Sequence, residues 1–199
     1  GATDWGLTAD AILALSSRRV AAAAAATATD ALETNVYSYI SPSGGDTRSA
    51  GAVAKVALVA QVQGRDATTF KDVDLIANLG SLKSTTTPNA GRFRDNNAGA
   101  DYSGTFSQSL ALLALSRWGA VPVDSVQWLV GLQCPNGGYP FSPDETTGQC
   151  AGNSDVDHDA TAMAIQAFVA SGVSGQPGVS AAISKAADVL SGVQQADGS

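Results

Sequence analysis

An all-α fold built from repeated helix pairs is predicted by three observations. The first is a phrase written three times, in which a Thr lies four residues after an Asp and an Ala six after the Thr: Asp4, Thr8 and Ala14; Asp101, Thr105 and Ala111; Asp157, Thr161 and Ala167. Each copy leads into an apolar run, and a weaker copy starts at Asp46 and continues through Gly51-Ala52-Val53 to Val56-Ala57-Leu58. The second observation is that a one-sided amphipathic segment follows each phrase. The third is that clusters of Gly, Pro and small polar residues separate the segments. Self-similarity of this kind marks a stack of supersecondary units, each burying its apolar face on the next.

In chain order, the first helix of each pair follows its Asp and is rich in Ala and small residues over most of its circumference. That composition suits an inner row pressed from both sides. The second helices are predicted over residues 20–40, 70–82, 123–133 and 179–194. The last carries Val179, Ile183, Ala186, Leu190 and Val193 at three- and four-residue steps, a single stripe that suits an outer position. The run Ala21 to Ala26 is a strong helix former on a packed face. Ser41-Pro42-Ser43-Gly44-Gly45, Thr87-Pro88-Asn89-Ala90-Gly91, Pro135-Asn136-Gly137-Gly138 and Gly175-Gln176-Pro177-Gly178 provide the breaks.

Length and composition fit one domain over residues 1–199, since 44% hydrophobic residues can form a sizeable core. A net charge of −7 argues against nucleic acid, whose phosphates need clustered Lys and Arg. No apolar stretch approaches the ~20 residues of a membrane span. The start of the chain has neither a charged n-region nor an apolar h-region, so an export signal is either removed or was never there.

Cys134 and Cys150 flank a loop rich in Gly, Pro and polar residues, with 15 residues between them. A disulfide there contributes roughly 3 kcal/mol on the loop-entropy account and places the protein outside the cytosol. The alternative is a pair of free thiols; zinc is disfavoured because His158 is the single histidine.

A second phrase, Gln-x3-Gly-x-aromatic, occupies the breaks. It is complete at Gln133, Gly137 and Tyr139, begins again at Gln194 to Gly198, and keeps its end at Gly91-Arg92-Phe93. The chain stops one residue short of the second aromatic, so a fragment of a longer protein is expected.

This phrase at the end of an outer helix, followed by an inner helix entered through Asp and Thr-Ala, resembles the repeat of the terpene cyclase and protein prenyltransferase superfamily. Within that superfamily, Gly51 to Leu58 and Asp157 to Phe168 resemble the helical domain of the transcobalamin and intrinsic factor proteins. The resemblance runs from Asp4 to Ser199. It implies an α/α toroid of inner and outer helix pairs. Four pairs are countable, fewer than a closed ring holds, so an incomplete ring is expected. For function it implies a secreted or cell-surface, non-catalytic module binding a small molecule or a protein partner, with cobalamin or Ca²⁺ as compatible ligands although no cofactor is required. The alternative it implies is a class II terpene cyclase.

The alternative rests on Asp155-Val156-Asp157-His158-Asp159-Ala160-Thr161-Ala162. Set against the cyclase Asp-x-Asp-Asp-Thr-Ala motif, Asp159 takes the general-acid position and Asp157 lies two before it, while Ala160 departs from the pattern. Alkene protonation needs an undissociated acid in a dry, aromatic-walled cavity, and most of the few aromatic residues fall outside the inner-helix faces. The competing role for Asp4, Asp101 and Asp157 is helix initiation. Asp155, Asp157 and Asp159 also alternate as in an EF-hand, but Ala160 and Gln166 stand where Gly and Glu are needed. A looser oxygen site would add Asn153, Asp144 or Glu145. Finally, Thr8, Asp10, Tyr102, Thr105, Ser107, Gln108, Thr161 and Gln166, with His158 near them, fall at the starts of inner helices, where a toroid would gather them into the mouth of a polar ligand site.

Overall fold

The computed structural model describes residues 3–97, 100–173 and 175–197. Nine α-helices occur among them: α1 (Trp5–Arg18), α2 (Ala22–Thr34), α3 (Val36–Ile40), α4 (Ala50–Val62), α5 (Leu75–Leu82), α6 (Thr105–Trp118), α7 (Val123–Gly131), α8 (His158–Ala170) and α9 (Val179–Val193). A two-stranded antiparallel ribbon joins β1 (Tyr139–Pro140) to β2 (Val156–Asp157).

The helices form a row of hairpins. α1 packs on α4, α4 on α6 and α6 on α8, while α2, α5, α7 and α9 each lie against the inner helix before them. No interface comparable with these joins α1 to α8. Burial follows position in the row. α4 and α6 each bury eight residues because they have neighbours on both flanks, whereas α1, at one end, buries only Ala9 and Ile12. The small side chains read as an inner row are thus needed most in the two central helices.

Two apolar clusters result. One gathers Ile12, Leu32, Ile40, Val53, Phe70 and Leu79, and the other Leu129, Tyr139, Phe168 and Val179. α6 belongs to both, through Ala111 and Ala114 on one flank and Leu112 on the other.

The predicted outer segments differ in detail. The helix expected over residues 20–40 breaks at Asn35, whose side-chain amide donates to the Ala31 carbonyl and competes with the helical ladder. The segment expected from Phe70 begins only at Leu75, because Lys71 and Asp72 adopt positive φ in a turn closed by reciprocal Phe70–Val73 hydrogen bonds. Asp74 then caps α5 by accepting from the Ala77 N–H at 2.7 Å.

Of the three repeated aspartates, two start helices. Asp4 accepts from the Leu7 N–H at 3.0 Å and Asp157 from the Ala160 N–H at 2.7 Å, while Thr8 and Thr161 donate back to the carbonyls of Asp4 and Asp157. Asp101 does not. The residue before α6 is Gly104, and a Cβ there would lie 2.2 Å from the Phe141 carbonyl oxygen. Asp101 instead accepts from the N–H groups of Asp95 and Ser103 and pairs with Arg94 and Arg92. The helix-start expectation fails here because the chain approaches α6 through a tightly packed crossing with the β1 segment, which leaves no room for a side-chain cap. In the weaker copy Asp46 caps nothing: the first N–H of α4, that of Ala50, donates to Asp95 at 2.7 Å, a residue 45 positions away.

The Gln-x3-Gly-x-aromatic phrase is a stitch between repeats. The Gln133 amide donates at 2.8 Å both to Gly137 O, within its own turn, and to Ala182 O on the next outer helix. The Tyr139 N–H then donates to Thr161 Oγ1 at 2.9 Å. One repeat earlier, the Phe93 N–H donates to Gln108 Oε1 at 2.9 Å. In both places the backbone of the aromatic residue is bound by a polar side chain of the following inner helix. The recurrence from Gln194 runs to Gly198 and ends outside the described residues.

Candidate ligand-binding groove

The inner helices leave one side uncovered by the outer row. On α4 the half-buried positions Gly51, Lys55, Leu58 and Val62 recur at steps of four, three and four, and on α6 Phe106, Leu110 and Leu113 repeat the same stripe. At the N-terminal end of this face lies a groove of about 390 Å³, walled by Tyr39 of α3, Lys55 of α4 and Phe106 and Leu110 of α6. Gly51 and Ser107 form its floor. A Cβ on Gly51 would lie 2.9 Å from Ser107 Oγ, so the glycine permits α4 and α6 to meet here and leaves space above them.

The walls combine aromatic and charged groups. Phe141, itself exposed, leans on Phe106 with ring centroids 5.6 Å apart. Lys55 Nζ lies 2.8 Å from Asp10 Oδ1, bridging α4 and α1 across the rim, with the lysine largely covered and the aspartate half exposed. Burial, and then the carboxylates of Asp10 and Asp4, push the Tyr39 hydroxyl up to about 12, so it stays a neutral donor across the physiological range.

Of the residues expected at a polar mouth, Ser107 lines this groove, and Asp10 lies outside its lining, paired with the wall residue Lys55. Three others are spent on the framework. Thr105 donates its hydroxyl to Pro140 O; Gln108 accepts from Phe93 N–H and donates to Gly91 O and Ser125 O; Thr161 binds Asp157 O and Tyr139 N–H. All three are fully buried, so no ligand reaches them and the expected ligand role gives way to a structural one. Their hydroxyls and amides were the right signal, but the long-range partners that consume them lie 15 to 35 residues away. Tyr102 is 75% exposed on its loop, and His158 and Gln166 are exposed on α8, away from the groove walls.

The acidic run is likewise dispersed. Asp157 caps α8, Asp159 is exposed in the first turn, and Asp155 ends an exposed turn of 3₁₀ helix. Among the described residues no group of three or more His, Cys, Asp or Glu side chains is placed to hold a metal ion. The side chains of a looser oxygen site already have partners: Asn153 accepts from Asn136 N–H, Asp144 from the N–H groups of Thr146 and Thr147, and Glu145 pairs with Arg92 and Arg94. Cys134 and Cys150 are joined in a disulfide, with Cα atoms 5.2 Å apart.

No protein-family model, curated protein or solved structure matches the chain.

A larger surface depression, about 690 Å³, lies beside Lys83, Arg94 and Asp101, but its charges are already engaged, Lys83 with Asp124 and Arg94 with Asp101. The groove by contrast is lined by the aromatic residues Tyr39 and Phe106, the hydroxyl residues Ser38, Ser49 and Ser107, and one charged side chain, that of Lys55. Sequence reasoning missed Tyr39, Lys55 and Phe106. The spacing of Gly51 to Lys55 and of Phe106 to Leu110 carried the signal, yet only packing shows which stripe of an almost wholly apolar helix is left uncovered.

Proposed function

We propose that this chain is a non-catalytic binding module, exported or displayed at the cell surface, that takes a small molecule or an extended segment of a partner protein in the Tyr39–Lys55–Phe106 groove. The observation that carries the proposal is the groove itself, about 390 Å³ in volume and formed where Gly51 lets two inner helices meet. That size is typical of small-molecule sites. The disulfide supports export, because such bonds persist in oxidising compartments. No helix among the described residues is long and apolar enough to cross a membrane.

The row of inner and outer helices is the arrangement expected of part of an α/α toroid, and the proposal extends to that fold and to likeness with transcobalamin-type carriers. A corrinoid is much larger than the groove and would be gripped by one edge only. The cyclase alternative draws less support, since Asp159 is exposed to solvent and alkene protonation requires a dry acid.

Native mass spectrometry with cobalamin, Ca²⁺ and a panel of isoprenoids tests the proposal. A stoichiometric adduct that disappears when exposed Ser38, at the groove edge, is replaced by Trp is the expected result. An adduct untouched by Ser38→Trp refutes the groove as the site. Turnover of an isoprenoid that vanishes in Asp159→Asn refutes the non-catalytic reading.

A further inference from the structure

The two central inner helices begin side by side at the floor of the groove. A Cβ on Gly51 would lie 2.9 Å from Ser107 Oγ and 3.8 Å from Ser107 Cα, so the first turns of α4 and α6 touch. Neither start has a side-chain cap from its own preceding residue, whereas Asp4 and Asp157 cap the end helices α1 and α8. The first N–H of each is taken from a distance, that of Ala50 by Asp95 and that of Thr105 by the Phe141 carbonyl. The Val53 and Gln108 N–H groups then open the helical ladders on Ser49 O and Gly104 O. Between them, the N–H groups of Gly51, Ala52, Phe106 and Ser107 have no hydrogen-bond partner among the described residues, and these residues all line the groove. Unpaired donors at a helix start, backed by the positive end of the dipole, receive anions. A separate observation points the same way. Ser107 is 9% exposed and lines the groove, and its hydroxyl has no hydrogen-bond partner among the described residues. A buried hydroxyl is costly to leave unpaired, and here the open side from which a polar group can reach it is the groove. The one charged side chain in the lining is Lys55, a turn beyond Gly51 on α4, and no carboxylate lines the groove. Tyr39, Phe106 and Leu110 supply an apolar wall beside these donors.

Resting on the groove as the binding site, we infer that its ligand class is a small organic carboxylate with an apolar body, its carboxylate over the joined starts of α4 and α6 and its body along Tyr39, Phe106 and Leu110. The carboxylate accepts from the unpaired N–H groups and the Ser107 hydroxyl, and Lys55 supplies the countercharge. Asp10, which holds Lys55 Nζ at 2.8 Å from outside the lining, competes with the ligand for that charge and keeps the affinity low.

The test is an NMR titration of the intact chain with phenylacetate, phenethyl alcohol and phenethylammonium, following the backbone amides of Gly51, Ala52 and Ser107. The expected order is phenylacetate over the alcohol by about tenfold, from two helix starts and one partly covered charge, with phenethylammonium weakest. Lys55→Met is expected to weaken phenylacetate about fivefold relative to the alcohol. Asp10→Asn is expected to tighten phenylacetate about threefold, a gain that damage to the fold does not mimic. Equal affinity for phenylacetate and alcohol, with shifts at the groove, overturns the carboxylate class while the groove survives as a site. Tightest binding of phenethylammonium overturns it in favour of a cation, again with the groove intact. A phenylacetate affinity that neither substitution moves refutes the role given to Lys55. An absence of shifts at all three amides with every probe removes both the class and the groove.

Discussion

Replacing Asp101 by Ala measures how far a repeated motif residue departs from its repeated role. Were Asp101 a simple helix-start residue like Asp4, the loss would be about 1 kcal/mol. The structure assigns it more. Its carboxylate is only 12% exposed and accepts from Arg94 Nε at 2.5 Å, from Asp95 N–H at 3.1 Å and from Ser103 N–H at 3.0 Å, and it lies 3.4 Å from the fully buried Arg92 guanidinium. Two backbone hydrogen bonds contribute about 1 kcal/mol each, and the half-exposed Arg94 pair adds less than about 1 kcal/mol. The remaining term is Arg92. Loss of a buried partner costs about 3–5 kcal/mol when the charge is left alone, but Arg92 keeps Glu145, Ser103 O and Asn89, together with the ring of Trp128 at 5.7 Å. The total expected for Asp101→Ala is therefore about 3 kcal/mol, which lowers Tm by roughly 6–12 °C in a protein of this size.

Asp101→Asn separates the contributions, since its amide oxygen still accepts from the two N–H groups while the pairing with both arginines is lost. About half the effect is expected. The pH dependence follows from the same contacts. Burial alone would raise the Asp101 pKa, but hydrogen bonds from Ser103 and Arg94, with the backbone N–H groups of Ser103 and Asp95, outweigh it and hold the carboxyl below its ordinary value. A depressed folded pKa stabilises the protein above the unfolded value, near about pH 4, and this contribution is lost as pH falls from there through the folded pKa. Urea denaturation followed by far-UV circular dichroism at neutral pH, and again below pH 4, is the assay. A loss of about 1 kcal/mol or less at neutral pH, or a difference between wild type and Asp101→Asn that grows as pH falls, would refute the reasoning.

Three further outcomes are expected. Gln108→Leu removes a fully buried amide that serves three backbone groups, Phe93 N–H, Gly91 O and Ser125 O, and is expected to cost about 3 kcal/mol in urea denaturation; a change below about 1 kcal/mol shows that these groups find other partners. Thr161→Val leaves the Tyr139 N–H buried without its acceptor and is expected to lower stability by about 1–3 kcal/mol while leaving ligand binding in the groove intact; loss of binding at full stability restores Thr161 as a ligand residue. Reduction of Cys134–Cys150 is expected to lower stability by roughly 3 kcal/mol, and labelling by alkylating reagent before reduction would show the bond to be absent in solution.

How much could be read from the chain alone depended on sequence distance. The helix pairs, the capping roles of Asp4 and Asp157 and the pairing of Cys134 with Cys150 rest on local regularities: three- and four-residue periodicity, an Asp side chain reaching an N–H three residues on, and two cysteines flanking one loop. Such interactions are dictated by helix geometry wherever the residues occur. The same local logic misassigned Asp101, because which side chain caps a helix also depends on what else approaches its start, here the Phe141 carbonyl against Gly104. It also overextended two outer helices, where Asn35 and the positive-φ pair Lys71 and Asp72 redirect the backbone within otherwise helical composition.

By itself, then, the sequence determined an all-α chain of four helix pairs with a repeated stitch and a cysteine pair near one loop. The tertiary structure decided the rest: that Asp95 caps α4 from 45 residues away, that Gln108 and Thr161 serve backbone rather than ligand, and that Tyr39, Lys55 and Phe106 share a groove. The reason is physical. A helix's pattern states which of its faces are apolar, but whether an apolar face becomes core, interface or open groove depends on which other helix lies against it, and that is settled only when α4 and α6 close over Gly51 and leave one side of the row uncovered.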